Sequence, residues 1–92
     1  MESHTQFKAT GLPLLAARKP ERWLSSSGKP LIARIARDAE IDRTQIHRVR
    51  NGTSRPGLKF QQALRNLAMS TGMSREQAHE LLFEDIDAEV AA

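Results

Sequence analysis

Ile35 to Gly52, reading Ile-Ala-Arg-Asp-Ala-Glu-Ile-Asp-Arg-Thr-Gln-Ile-His-Arg-Val-Arg-Asn-Gly, is the stretch that leaves the chain least freedom. Its apolar residues fall at the spacing of two short helices meeting across a tight turn, with Ile35, Ala36, Ala39, Ile41, Ile46 and Val49 turned inward. The second helix then carries Arg43, Thr44, Gln45, His47, Arg48 and Arg50 on its outer side. Three guanidiniums, an imidazole, an amide and a hydroxyl on one exposed face form the chemistry that pairs with base edges and grips phosphate oxygens.

Ninety-two residues suit one small domain with a modest core, so self-association would be a useful source of stability. The chain has no cysteine, which excludes a disulfide framework and a thiolate metal site. The longest apolar stretch, Leu12 to Ala17, contains Pro13 and is too short to span a bilayer. No basic-then-apolar segment of the secretory kind opens the sequence. The expectation is a soluble protein of a reducing compartment, hence cytoplasmic and without a membrane partner. The Asn51-Gly52-Thr53 glycosylation pattern has no meaning there.

Charge is divided sharply along the chain. All 14 Lys and Arg fall within residues 1–75 against five acids, a net +9, whereas residues 76–92 hold six acids and no Lys or Arg. A basic body with an acidic end points to a polyanionic partner for the body.

Residues 1–9 read as an irregular, flexible N-terminus. Thr10 suits the cap of a first helix with Pro13 in its opening turn, and Pro20 interrupts or restarts that helix, with Glu21 favourably placed behind it. Leu14, Leu15, Trp23 and Leu24 are candidate core residues here. Gly28 ends the segment, and Pro30 opens a second helix running to about Ala39. Ser27-Gly28-Lys29 is no phosphate loop, because the earlier Gly and the following Ser or Thr are both missing.

Asp42 is a good N-cap for a third helix over about 43–50, which Asn51-Gly52 terminates. A fourth helix is expected over 58–70 with Leu58, Phe60, Leu64, Leu67 and Ala68 inward. Ser74 and Gln77 have capping-box spacing for a fifth, beginning near Arg75 and carrying Ala78, Leu81, Leu82, Phe83, Ile86 and Val90. No strand-like alternation is read anywhere. The expected fold is therefore all-α, a compact four- to five-helix domain covering 1–92, with a helix-turn-helix at 31–52 and an acidic C-terminal helix at 74–92.

Ala36, Ile41, Ile46 and Val49 stand at the spacing of the helix-turn-helix pattern: a small residue where two helices cross, an apolar residue after the turn, and two apolar residues on the docked side of the recognition helix. With Arg48-Val49-Arg50-Asn51-Gly52, Pro56 and Leu58, residues 31–74 resemble the phage Cro and lambda-repressor-type family, and the core motif is also similar to the Lac-repressor headpiece. Two departures stand out. Glu40 occupies the turn position usually held by Gly, at a cost on the order of 1 kcal/mol. About three extra residues also separate Pro56 from Leu67-Ala68, so the fourth helix is expected to be about one turn longer.

The resemblance implies a lambda-repressor-like domain that binds double-stranded DNA through base contacts from Arg43, Thr44 and Gln45, with His47 and Arg48 following on the same side. Lys29, Arg50, Asn51, Arg55 and Lys59 are the phosphate candidates. A recognition helix of about eight residues reads few base pairs, so a homodimer on a pseudo-palindromic operator is expected. Ala78, Leu82, Ile86 and Val90, in line on the fifth helix, are its candidate joint.

Glu76-x-x-His79 has the spacing of a carboxylate–imidazole metal ligand pair, but a single copy makes no site, so neither metal nor cofactor is expected. No nucleophile–base–acid set points to catalysis, and the chain is expected not to be an enzyme. The expected function is a sequence-specific transcriptional regulator of the phage or plasmid kind, most simply a repressor that occupies its operator. The alternatives are an activator whose acidic end touches RNA polymerase, and a protein-interaction module such as an antitoxin. RNA binding fits poorly, because stacking aromatics are few and Tyr is absent.

Overall fold

The computed structural model describes residues 3–87. The chain opens with a strand, β1 (Ser3–Phe7), and closes with another, β2 (Phe83–Asp87). Between them run α1 (Gly11–Ala17), α2 (Pro20–Trp23), α3 (Ile32–Ala39), α4 (Arg43–Arg50), α5 (Leu58–Met69) and α6 (Arg75–Leu82). The strands pair antiparallel, from Ser3 opposite Asp87 to Phe7 opposite Phe83. The fold is therefore mixed, a set of short helices closed by a two-stranded sheet, and the all-α expectation is overturned.

Two expectations fail together at that sheet. Residues 3–7 are an ordered strand rather than an irregular lead-in. The acidic helix does not run through residue 86: the backbone turns extended at Phe83 (φ −131°, ψ 156°) and continues as β2. The cause is the aromatic cluster. Phe83, turned inward by the strand, meets Phe7 at a ring-centroid distance of 5.7 Å and Phe60 at 6.4 Å, while Phe7 and Phe60 stand edge to face at 5.8 Å. All three phenylalanines of the chain thus gather where the sheet lies on α5. Aromatic contacts of this kind add to the area they bury.

Local signals place α4 and α6 well, whereas α3 begins at Ile32 rather than at Pro30, which instead bridges to Leu24 ahead of the helix. Asp42 caps α4 by accepting the Thr44 amide at 2.8 Å. Ser74 and Gln77 form the reciprocal capping box at α6, at 3.1 and 2.9 Å. The core gathers Leu12, Leu15, Trp23, Ile35, Ile46, Phe60, Leu64 and Leu82. Leu14 and Leu58, expected inside, are exposed at 50% and 67%. Each lies two residues from an inward side chain, Leu12 and Phe60, which on a helix is the opposite side. Gly11 brings α1 against the end of α6, where a side-chain carbon would stand 3.3 Å from the Leu82 backbone.

Trp23 anchors α2 on α3. It is buried, its Nε1 donates to Asp38 at 2.7 Å, and Arg22 grips the same carboxylate through Nε and Nη2, both at 2.6 Å. The Arg22 guanidinium, helped by the Trp23 donor, lowers the Asp38 carboxyl to about 2. Among the described residues no helix is long and apolar enough to cross a membrane.

Candidate nucleic-acid interface

The α3–turn–α4 unit forms on the residues that carry the resemblance. Ile35, Ala36 and Ala39 of α3 and Ile46 and Val49 of α4 are buried, and Ile41 packs partly buried against them. Glu40 takes the left-handed conformation (φ 59°, ψ 42°) and is the only non-glycine among the described residues with positive φ. This geometry lets the Ile41 amide reach back to the Ala36 carbonyl at 2.9 Å, so the turn is made at the steric expense of one side chain.

With Ile46 and Val49 docked, the rest of α4 faces outward. Arg43, Thr44, His47, Arg48 and Arg50 are exposed and Gln45 is half-buried. Asp42 lies at the N-terminal end of this face. The Thr44 amide holds its carboxyl below the usual range, so it stays ionised as a cap.

The loop after α4 is pinned rather than loose. The Arg48 carbonyl accepts the Thr53 amide at 2.9 Å, the Thr53 hydroxyl at 3.0 Å and the Ser54 amide at 3.2 Å. Gly52 supplies the left-handed step (φ 78°), and Gln61 Nε2 donates to the Pro56 carbonyl at 2.9 Å. Arg55 is thereby held beside α4. Thr44, Gln45, Arg48 and Arg55 share an open cleft of about 650 Å³ with Asp42, Ser54 and Gly57. Arg50 and Arg55 border a second cleft, of about 350 Å³, whose far wall is Thr5, Gln6 and Phe7 of β1.

Lys29, Asn51 and Lys59 are exposed but line neither cleft. Lys29 sits in a turn closed by Ser25, whose amide donates to the Lys29 carbonyl at 2.8 Å and whose hydroxyl accepts the Lys29 amide at 3.0 Å. That turn delivers it just ahead of α3. The cleft walls from β1, Ser54 and Gly57 escaped the sequence reading. No local signal marks β1 as a neighbour of Arg50, because its pairing partner lies some 80 residues away.

The proposed joint residues are placed differently from expectation. Ala78 and Leu82 are fully buried in the chain's own core, and Ile86 lies on β2 instead of one turn further along a helix. Val90 lies outside the described residues. Ala78, Leu82 and Ile86 therefore do not form one helical surface, since α6 ends at Leu82.

Among the described residues no group of three or more His, Cys, Asp or Glu is arranged to hold a metal ion. His79 engages other partners: Arg65 Nη1 lies 3.0 Å from its Nδ1, and Asp85 lies 3.1 Å from its Nε2. Arginine can only donate, so Nδ1 accepts and Nε2 carries the hydrogen facing Asp85. Thr5 donates to the same carboxylate at 2.8 Å, which with His79 keeps the Asp85 carboxyl below its ordinary range.

Arg43, Gln45, His47, Arg48, Arg50 and Arg55 make no side-chain hydrogen bond or ion pair with any described residue. By contrast Lys8, Arg18, Arg22, Arg34 and Arg65 all donate hydrogen bonds within the fold. Comparison with protein-family models, with curated proteins and with solved structures finds no significant match to this chain.

Proposed function

We propose that the chain is a sequence-specific double-stranded DNA-binding regulator of transcription, acting as a dimeric repressor with α4 in the major groove. One observation carries this proposal: a short helix docked by two apolar residues presents a contiguous set of donors that the fold itself leaves unused. Unspent guanidiniums beside amide and hydroxyl groups are what base edges and phosphates require. The sequence resemblance to the Cro and lambda-repressor-type family, drawn on Ala36, Ile41, Ile46 and Val49, supports the same assignment.

In this proposal Arg43, Thr44 and Gln45 at the start of α4 read bases, with His47 and Arg48 behind them. Arg50, Asn51 and Arg55 hold phosphates on one side, and Lys29 and Lys59 flank them. The pinned loop serves as a rigid second wall, so Arg55 meets the backbone at a fixed distance from the bases. Such a protein works in the cytoplasm, on the nucleoid, and needs no cofactor or catalytic group. The dimer is retained because eight residues of helix read few base pairs, but its joint cannot be the buried Ala78–Leu82 face.

Selection of bound sequences from a random double-stranded pool at rising salt tests the proposal. Expected are a pseudo-palindromic consensus with half-sites about 34 Å apart and a steep fall of affinity with salt. Loss of every sequence together, with none enriched, would refute it.

A further inference from the structure

Arg65, on α5, is the one charged side chain among the described residues that the core takes in, at 7% exposure. Its Nη1 donates to His79 Nδ1 at 3.0 Å and lies 3.4 Å from Gln61 Oε1, both neutral acceptors. No described carboxylate stands within ion-pair reach; Asp85, bonded to the intervening His79, acts on it from further off. Nε and Nη2 donate to no described residue. Neither nitrogen is sealed, because no side-chain nitrogen or oxygen among the described residues is both buried and unpartnered. A nearly buried arginine thus keeps its Nε–Nη2 fork open to solvent. That is the fork with which Arg22 grips the two oxygens of Asp38.

The surroundings match that fork. Arg65 and Arg75 line a cleft of about 320 Å³ together with Gln62, Asn66 and Met69, with no acid in its wall, and they also border an adjoining cleft of about 530 Å³ whose wall holds Glu76, Glu80, Asp85 and His79. The side chain of Arg75, the first residue of α6, also has no hydrogen-bond or ion-pair partner among the described residues. Two guanidiniums and two amides therefore converge on a concave space beside one exposed thioether. Asp85 is near enough to act on Arg65 but makes no ion pair with it, so an oxyanion at the fork supplies the direct partner that the described fold does not.

We propose that the cleft between α5 and α6 binds a small oxyanion, a carboxylate or phosphate group held by the Arg65 fork and by Arg75, with the ligand's apolar part against Met69. The parallel donors of a guanidinium fit both oxyanions. Through Nη1 the site is linked to His79, and from there to Asp85 and Thr5, so occupancy braces the attachment of the sheet to the helices. The cleft shares no residue with the α4 face, and the proposal stands apart from the DNA assignment.

Amide chemical shifts of the full chain, titrated with inorganic phosphate and separately with succinate, each against sodium chloride at equal ionic strength, test it. Saturable shifts over 62–69 and 75–79 in either arm support the site, and the arm that saturates identifies the oxyanion. Arg75→Gln, at an exposed position, should weaken binding about tenfold with the fold unchanged. Arg65→Gln should abolish binding; if that variant unfolds, the Arg75 variant decides. Shifts no different from those of chloride, binding unaffected by Arg75→Gln, or saturation confined to 43–59 would overturn the proposal. The last result would place the anion on the α4 face instead.

Discussion

Replacing Asp38 by Asn removes the charge at the joint between α2 and α3 while keeping the side chain's size and one acceptor oxygen. In the folded chain the carboxyl is lowered from 3.8 to about 2, chiefly by the bidentate Arg22 bond, with further help from Trp23. That difference corresponds to an upper bound of about 2.5 kcal/mol at 1.36 kcal/mol per pH unit. The Asp38 side chain is 20% exposed and that of Arg22 41%, so screening by solvent reduces the contribution to about 1–2 kcal/mol. The sign follows from proton binding: below its ordinary value the unfolded carboxyl takes a proton that the folded one refuses. The stabilisation is therefore complete above about pH 4 and is lost as pH falls towards 2. Urea unfolding followed by the fluorescence of Trp23, the only tryptophan, measures it directly. Wild type should exceed Asp38→Asn by about 1–2 kcal/mol at pH 7, and the gap should close near pH 2. Asp42 and Asp85 titrate in both proteins and drop out of the difference. A gap that is absent at pH 7, or that persists undiminished at pH 2, refutes the assignment of this stability to the Asp38 charge.

Arg43→Ala and Gln45→Ala should each cost about 1–3 kcal/mol on the selected operator and barely change binding to unrelated DNA; equal losses on both in gel shifts would remove their base-reading role. Glu40→Gly relieves the left-handed strain and should raise urea stability by about 0.5–1 kcal/mol, the backbone entropy of Gly offsetting part of the gain. Leu82→Glu places a charge in the core and should unfold the chain by circular dichroism, whereas a folded monomer would restore Leu82 to a subunit joint. Phe83→Ala should cost about 3–5 kcal/mol, read from the midpoint of thermal or urea unfolding, because it opens the aromatic cluster beneath the sheet.

The N-terminal caps of α4 and α6 and the inward faces of the α3–turn–α4 unit were legible residue by residue, since their causes lie within a few positions. Asp42 and Ser74 cap the helices they immediately precede, and the three- and four-residue spacings of α3 and α4 choose their inward faces without reference to the rest of the chain. The exposed chemistry of α4 follows directly, because what is not docked must face out. Phe83 to Asp87 shows the limit. Leu82, Ile86 and Val90 have helical spacing, whereas Phe83 and Ile86 fall on opposite faces of a strand, so local pattern favours the helix and no apolar alternation announces β2.

What decided between them was a contact no local signal carries: β1, at the other end of the chain, offers a free edge and Phe7, and Phe60 supplies the third ring. Tertiary structure alone thus made the fold mixed, buried Leu82 and took away the expected joint. It also set β1 beside Arg50 and left the Arg65 fork open above Arg75. The sequence by itself determined the docked helix and its outward donors, because local spacing dictates them. The sheet and the clefts depend on which distant segments meet, and that is settled by packing.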